Sequence, residues 1–396
     1  MTHFVVVGIG ADGWDGLSGH AQAELRSAER IHGSARQLAL LPDGVAAETI
    51  PWESPMSEHL DRVLADESMD TVHLLASGDP MFHGLAASVV RAIGADRVTV
   101  FGSSSSVSLA AARLGWDLAR TEVRSLVTGE AESLIPALTD GARILVLSRN
   151  AESPDQVAGL LRRKGFGWST LTVLGDLGGV DESVVRGLAR SWNVPEVPAL
   201  NILAIECVGP ARTRAPGLPD ADYVNDGQLT KQPIRAITVC ALAPADGQLL
   251  WDVGAGSGSV AIEWLLQTRS GRAIAFESHP ERADRIRVNA REHGVAERLT
   301  VAGAAPAALY GAPDPDTIFL GGGLDAELLD TCWEALSAGG RLVANAVTLE
   351  TERLLVAARE ERGGELVRLS LERAGALGSM TAWRPALPVV QWTVDR

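Results

Sequence analysis

Short apolar runs alternate with Ala-rich stretches of helical period through the first half of the chain. Residues 4–7, 72–76, 98–101, 143–147, 171–174 and 201–205 are aliphatic or β-branched and are flanked by Gly, Ser or Asp, which predicts strands. Residues 21–31, 85–93, 107–114 and 155–163 repeat apolar positions three and four apart, which predicts helices. The last of these opens on a start signal, Ser153 with Pro154 behind it and Gln156 three residues on. Such alternation predicts an α/β fold with mainly parallel sheets, here two small ones.

Residues 209–219 break the pattern. They lack periodicity and hold three prolines, which marks a boundary. A second unit is expected from Asp226. It opens with a helix over 231–242, then an apolar run (249–251), a glycine turn, a helical segment (260–266) and a strand (273–276). Alternation continues to Leu336, followed by a strand at 341–344 and a helix at 350–362. Two β-rich runs close the chain, 366–371 and 389–394, and predict an antiparallel pair at a sheet edge. The expected division is 1–208, a linker over 209–225, and 226–396.

Charge narrows the partners. A net charge of −15 argues against nucleic acid, whose phosphates need a basic face. No apolar stretch reaches the ~18 residues of a membrane span, and the N-terminus enters a strand without a signal-peptide layout. Cys207, Cys240 and Cys332 are isolated beside apolar segments and read as buried packing thiols. The expectation is a soluble, cytoplasmic protein without membrane or nucleic-acid partners. The 8 histidines show no paired ligand spacing, so no metal is expected.

The chemistry concentrates at Asp252-Val-Gly-Ala-Gly-Ser-Gly258, between a strand and a helix, with Glu277 at the end of the next strand. Glycines at Gly254, Gly256 and Gly258 permit close backbone approach at a helix N-terminus, and an acid in the position of Glu277 suits a ribose diol. The loop alone fits a dehydrogenase, an S-adenosylmethionine (SAM) methyltransferase or a structural turn. Three features favour the methyltransferase. A helix precedes the loop, Asp252 suits a cofactor with a charged amino-acid end, and the closing strand pair is typical of class I SAM methyltransferases. A hydride-handling His or Lys-Tyr pair is also missing, since the only histidines of this half are His279 and His293.

Residues Asp226-Gly-Gln-Leu-Thr-Lys231, Arg235, the glycine loop with Glu263, Ile318-Phe-Leu-Gly-Gly-Gly323 and Ala344-Asn-Ala-Val-Thr-Leu-Glu350 together resemble the C-terminal domain of the precorrin-6Y C5,15-methyltransferase (decarboxylating) family of cobalamin biosynthesis. The resemblance covers about 170 residues. It implies that Thr230, Asp252, Gly254, Ala255, Gly256, Ser257 and Gly258 contact SAM, that Glu277 holds the ribose, and that Ala304 and Ala305 border the adenine. Thr230 also fits a helix N-cap, and Glu263 a helix-surface or loop-bracing residue. Gly321, Gly322 and Gly323, with Lys231 and Arg235, are implied on the substrate side. Pro233 stands where relatives carry a glutamate, and Ala304 where many SAM enzymes carry an adenine-binding acid.

Val7-Gly-Ile-Gly-Ala-Asp-Gly-Trp14, Ser77-Gly-Asp-Pro-Met-Phe-His-Gly84 and Gly102-Ser-Ser-Ser-Ser106 look like the tetrapyrrole methylase family, in the branch fused to the domain above. The implied fold is two-lobed, with SAM folded in the cleft. Gly78, Asp79 and Phe82 would line one side, Ser105 and Ser106 the methionine end, and Leu147, Ser148, Leu177 and Gly178 the other side. Gly8 and Gly10 would border the corrinoid. No catalytic base is assigned; His83 is a candidate by proximity alone. Arg36 and Arg113 are further cations for an acidic substrate, each better read as a solvated charge.

The resemblance thus implies a bifunctional enzyme with two SAM sites, releasing S-adenosylhomocysteine, and a homo-oligomer. Its substrate would be precorrin-6Y, methylated at C5 and C15 and decarboxylated at the C12 acetate to give precorrin-8X. A cobalt-precorrin substrate is an open alternative. Ring carbons of a reduced tetrapyrrole are nucleophilic, so positioning in a dry cleft suffices without a conspicuous triad.

Overall fold

Along β1 (His3–Ile9) successive side chains face opposite sides of a sheet, and both faces are apolar. Phe4 and Val6 enter one core with Val72 and Leu74, while Val5, Val7 and Ile9 enter another with Ile31 and Leu75. A strand buried on both faces belongs to a parallel sheet covered on each side. The computed structural model, which describes residues 1–194 and 196–396, has that arrangement. It forms two compact units: Met1–Ala131 with Ala137–Ala211, and Glu132–Pro136 with Arg212–Arg396.

The first unit holds two five-stranded sheets. One joins β1 to β2 (Arg30–Gly33), β3 (Glu48–Pro51), β4 (Thr71–Ser77) and β5 (Val98–Phe101) in the order β3-β2-β4-β1-β5, all parallel. The other runs β6-β7-β10-β8-β9, from β6 (Glu122–Ser125), β7 (Arg143–Leu147), β8 (Thr170–Gly175), β9 (Ser183–Leu188) and β10 (Asn201–Glu206). Here the expectation of parallel pairing fails. Only β6–β7 is parallel: β8–β9 is antiparallel because its short connection cannot hold a crossover helix, and β10 runs antiparallel between β7 and β8. The helix expected over 21–31 is also shorter, Gly19–Ser27, and Ile31 lies in β2. A four-residue strand is too brief to show its own period.

The second unit is a seven-stranded sheet of β11 (Leu249–Val253), β12 (Arg272–Phe276), β13 (Leu299–Ala302), β14 (Thr317–Leu320), β15 (Arg341–Ala346), β16 (Glu365–Leu369) and β19 (Val389–Asp395). The order is β13-β12-β11-β14-β15-β19-β16, with β19 antiparallel to both neighbours as the closing β-rich runs predict. Between β16 and β19 lies a separate hairpin, β17 (Glu372–Leu377) and β18 (Met380–Pro385). Leu250 and Phe319 face one core, and Trp251, Val253, Ile318 and Leu320 the other. No helix among the described residues is long and apolar enough to cross a membrane. Cys207 and Cys332 are buried, which pushes each thiol up to about 12, but Cys240 is exposed on its helix, contrary to expectation.

The segment expected as a linker is anchored from Arg212 onward in the second unit. Glu263, 1% exposed on the buried helix Ser259–Leu266, accepts from the N–H groups of Gly217 (2.5 Å) and Leu218 (3.0 Å), the Tyr223 hydroxyl (3.0 Å) and Arg235 Nε (2.5 Å). Arg235 is fully buried on the helix Gln232–Leu242 and also bonds Asp220 (3.0 Å) and the carbonyls of Thr230 and Leu218. Truncating Glu263→Ala leaves that buried guanidinium with Asp220 as its one remaining carboxylate partner and strips the acceptor from the Gly217 and Leu218 N–H groups and the Tyr223 hydroxyl. The second unit should lose about 3–5 kcal/mol, read as faster amide exchange along β11–β15 in the full chain, with the strands of the first unit unchanged.

Candidate functional site

Strand order sets where each cavity opens. In the second unit the chain runs outward from β11 through β12 to β13, then returns to β14 on the other side of β11. The crevice at the carboxyl ends of β11 and β14 is therefore the switch point of the sheet, the usual ligand position in such folds. Gly254 follows β11 and Gly321 follows β14. A Cβ on Gly254 would stand 2.7 Å from the Gly322 oxygen, and its φ is +74°, so the approach of the two loops requires glycine.

A cavity of about 840 Å³ opens there. Its wall includes Thr230, Lys231, Gly254, Ala255, Gly256, Glu277, Gly321, Gly322 and Gly323. Phe319, Asn345 and Val347, which lie in the quoted motifs without an assigned role, also line it, as do Ser278, His279, Arg282, Leu371, Arg373, Arg384 and Leu387, which the motifs do not assign. Asn345 is braced on β15, donating to Thr238 Oγ1 (2.9 Å) and accepting from Gln391 (3.0 Å). The roof segment is fastened by Asp226, which pairs with Arg282 (2.9 Å) and Arg285 (2.7 Å); the Arg282 hydrogen bond foremost holds its carboxyl well below the usual range.

Several expected contacts lie elsewhere. Arg235 is not in the cavity wall; all three of its guanidinium nitrogens are bonded internally. Thr230 is in the wall but is no N-cap. Lys231 holds that position without a side-chain cap, and distant Asp220 accepts from the N–H of Gln232 (2.9 Å) instead. Glu263 braces the preceding loop. Ser257 and Gly258 sit beneath the loop, a Cβ at Gly258 meeting Ile286 at 2.8 Å. Ala304 and Ala305 follow β13 outside the cavity wall.

The electrostatics of the glycine loop differ from a phosphate cradle. Four of its N–H groups are already taken: Gly254 and Ala255 donate to the Phe276 carbonyl (3.0 and 3.2 Å), Gly256 to Glu277 (2.8 Å) and Gly258 to the Ala255 carbonyl (2.8 Å). The helix N–H of Ala261 goes to Asp252 (3.1 Å). The helix start is therefore partly occupied by the chain's own acid, through the Ala261 N–H. Two carboxylates stand where a pyrophosphate would need donors. Asp252 is fully buried behind the loop, outside the cavity wall, and its Oδ1 has no partner. Desolvation, only partly offset by the Ala261 N–H, pushes its carboxyl up to about 7, and the Glu277 charge adds to the rise. Burial works the same way on Glu277, but hydrogen bonds from the N–H groups of His279 (3.0 Å) and Gly256 outweigh it and hold this acid below its ordinary value. The site favours a cationic ligand with hydroxyls.

In the first unit the sheet order reverses between β4 and β1. Gly8 lies under that point, where a Cβ would come 2.0 Å from the Gly78 oxygen, and so it supports the turn without entering the wall. A cavity of about 450 Å³ is lined by Gly10, Gly78, Asp79, Phe82, His83, Ser105, Ser106, Leu147, Ser148 and Leu177, but not by Gly178. Some expected polar contacts are already used. Asp79 accepts from the Met81 N–H (2.9 Å), and Ser105 caps the helix Ser106–Leu114 through the Ser108 N–H (3.0 Å). The unspent groups are Ser148 Oγ and Asn201 Oδ1, both buried without partners in the wall. Asn201, which opens β10, carries no motif signal in the sequence.

The two arginines of this unit separate. Arg113 pairs with Glu182 (2.6 and 2.9 Å) on the surface, as a solvated charge should. Arg36 instead lines the cavity, bonding Ser77 Oγ (3.0 Å), and burial lowers its pKa. Among the described residues no group of three or more side chains could hold a metal ion.

Comparison with known proteins assigns the chain. A model described as Precorrin methyltransferase domain matches residues 221–396, and one described as Tetrapyrrole (Corrin/Porphyrin) Methylases matches residues 3–192. The chain is 45% identical over 396 residues to a precorrin-6Y C(5,15)-methyltransferase (decarboxylating) of Mycobacterium tuberculosis, covering 99% of both chains. It is 42% identical over 393 residues to the protein of that name from a Sinorhizobium species, covering 98% of this chain and 95% of the other. Among solved structures it is similar to the C-terminal domain of precorrin-6Y C5,15-methyltransferase from Rhodobacter capsulatus, with 45% identity, 47% of this chain and 100% of that one covered, and a TM-score of 0.45.

The fold and the full-length identities define an S-adenosylmethionine-dependent methyltransferase. More narrowly, the chain belongs to the precorrin-6Y C(5,15)-methyltransferase (decarboxylating) family.

Asp252 makes the ligand-free protein sensitive to pH. Its folded pKa of about 7 lies above the ordinary carboxylate value of 3.8. Between these values the folded state holds a proton that the unfolded state has lost, so stability falls as pH rises through this window and levels above it. The melting temperature of the second unit without ligand should therefore be lower at pH 8 than at pH 5. Asp252→Asn should flatten that difference, and an unaltered slope in the variant would assign it to other groups.

Proposed function

We propose that the chain converts precorrin-6Y to precorrin-8X with two molecules of SAM, one in each unit. The first unit methylates C5. The second methylates C15 and removes the carboxyl group of the C12 acetate. What carries this reading is the second-unit loop, where the N–H groups of Gly254, Ala255, Gly256 and Ala261 are spent on Phe276, Glu277 and Asp252. That arrangement disfavours a dinucleotide and suits a nucleoside that bears a sulfonium and an ammonium.

In the second unit Glu277 takes the ribose hydroxyls. Its oxygens keep lone pairs beyond those used by Gly256 and His279, and its lowered pKa keeps it charged at neutral pH. Asp252, buried behind Gly254 and outside the wall, favours a cationic methionine end through its field rather than by contact. The cavity is large enough to hold more than the cofactor alone, near the upper end of the usual range for ligand sites. In the first unit Ser148 and Asn201 offer unsatisfied polar atoms to the cofactor, and Arg36 offers its charge to the substrate.

The chemistry asks little covalent help of these residues. A ring carbon attacks the methyl group in line, the sulfur leaves as S-adenosylhomocysteine, and the protein holds the pair in a water-poor cleft. Decarboxylation breaks the bond between the acetate methylene and its carboxyl carbon. The electron pair moves into the macrocycle, CO2 departs, and the methylene gains a proton to become a methyl group.

Purified protein given SAM and precorrin-6Y should yield a product heavier by two methyl groups and lighter by one CO2, seen by mass spectrometry. Neither change appearing would overturn the assignment. Glu277→Gln should weaken SAM binding at one of two calorimetric sites by roughly 10-fold to 100-fold, as expected for loss of hydrogen bonds to a charged acceptor. At limiting SAM that variant should still add the C5 methyl but release little CO2.

A further inference from the structure

Between β16 and β19 the chain leaves the main sheet for the hairpin β17–β18, which pairs only with itself. Its register sets Arg373 directly opposite Arg384. Like charges in that position repel, and hairpins ordinarily place opposite charges or packed side chains there. Neither guanidinium has a carboxylate within ion-pair distance among the described residues, yet both line the second-unit cavity. Glu372 is adjacent in sequence, but the strand period of two turns it to the opposite face.

Arg384 gives one N–H to the Ala376 carbonyl (2.6 Å), and its stem lies over Gly375, where a Cβ would come within 3.0 Å of its Cδ. The side chain is thereby held in place with donors to spare. The same hairpin face continues through Gly375, Ala382, Leu377 and Met380, all apolar. One face thus joins a cation pair to an apolar strip, which matches a flat macrocycle fringed with carboxylates.

We propose that Arg373 and Arg384 clamp the carboxylate side chains of the acidic tetrapyrrole while its ring lies against the second-unit cavity. This inference rests on the function proposed above. A protein of net charge −15 repels a polyanion at long range, so recognition must come from local cations. Guanidinium forks suit that role because each can hold a carboxylate through two hydrogen bonds. Arg282 is committed to Asp226, which leaves the hairpin pair, with Lys231, as the available cations of the wall.

The test compares the full chain with the R373Q/R384Q double variant on precorrin-6Y, following CO2 release for the second unit and C5 methylation for the first. The KM for CO2 release should rise about 10-fold, the sum of two exposed ion pairs, with kcat changed much less. The wild-type KM should climb with added salt and the variant's should not. SAM affinity by calorimetry and C5 methylation should stay the same, which separates a lost clamp from a misfolded chain. R373K/R384K should recover part of the loss, since it keeps the charge without the fork. An unchanged KM with the same salt response in the double variant overturns the clamp and leaves the functional reading intact. Wild-type protein that neither methylates nor releases CO2 overturns both.

Discussion

The carboxylate of Glu263 is the point from which the second unit is assembled. It lies in an apolar helix that packs on all sides, where an unpaired charge could not remain. Arg235, Tyr223 and two backbone N–H groups converge on it. These contacts fasten the chain before the helix Gln232–Leu242. Through the Arg235 bond to the Thr230 carbonyl they also hold a residue of the cavity wall. An aperiodic, proline-rich segment is ordered here because polar bonds at one buried acid replace the apolar contacts it lacks.

A second pair of acids then shapes what the cavity will accept. Asp252 and Glu277 occupy N–H groups that a phosphate-binding loop would leave free. The glycines permit the tight turn and the approach of the Gly322 backbone, so their motif is shared with dinucleotide folds while the electrostatics are not. The first unit reaches a comparable result by other means. Its glycines let Gly78 pass over β1, and its unsatisfied acceptors come from Ser148 and Asn201 on the second sheet.

Much of this was legible in the residues. Strands buried on both faces announce themselves as continuous apolar runs, so β1, β4, β11 and the glycine turns after them were readable. The β-rich runs at the end foretold the antiparallel pairing of β16 and β19. The hairpin between them carries one local signal, the two-residue loop Gly378-Ser379, while its strands show no clear alternation. Strands as short as β2 and β3 carry too few residues to display any period.

The linear order of residues determined the α/β class, the two glycine-lined crevices and the acid that follows β12, because period, turn chemistry and local spacing are properties of neighbours in the chain. Only the folded arrangement decided which charges were free. Arg235 and Arg36 look alike in sequence, yet one is consumed by Glu263 and Asp220 while the other enters a cavity. Asp252 sits behind its loop, and Arg373 meets Arg384 across a hairpin. Whether a polar group is spent or available depends on partners far away along the chain, and those distances are set by packing rather than by spacing.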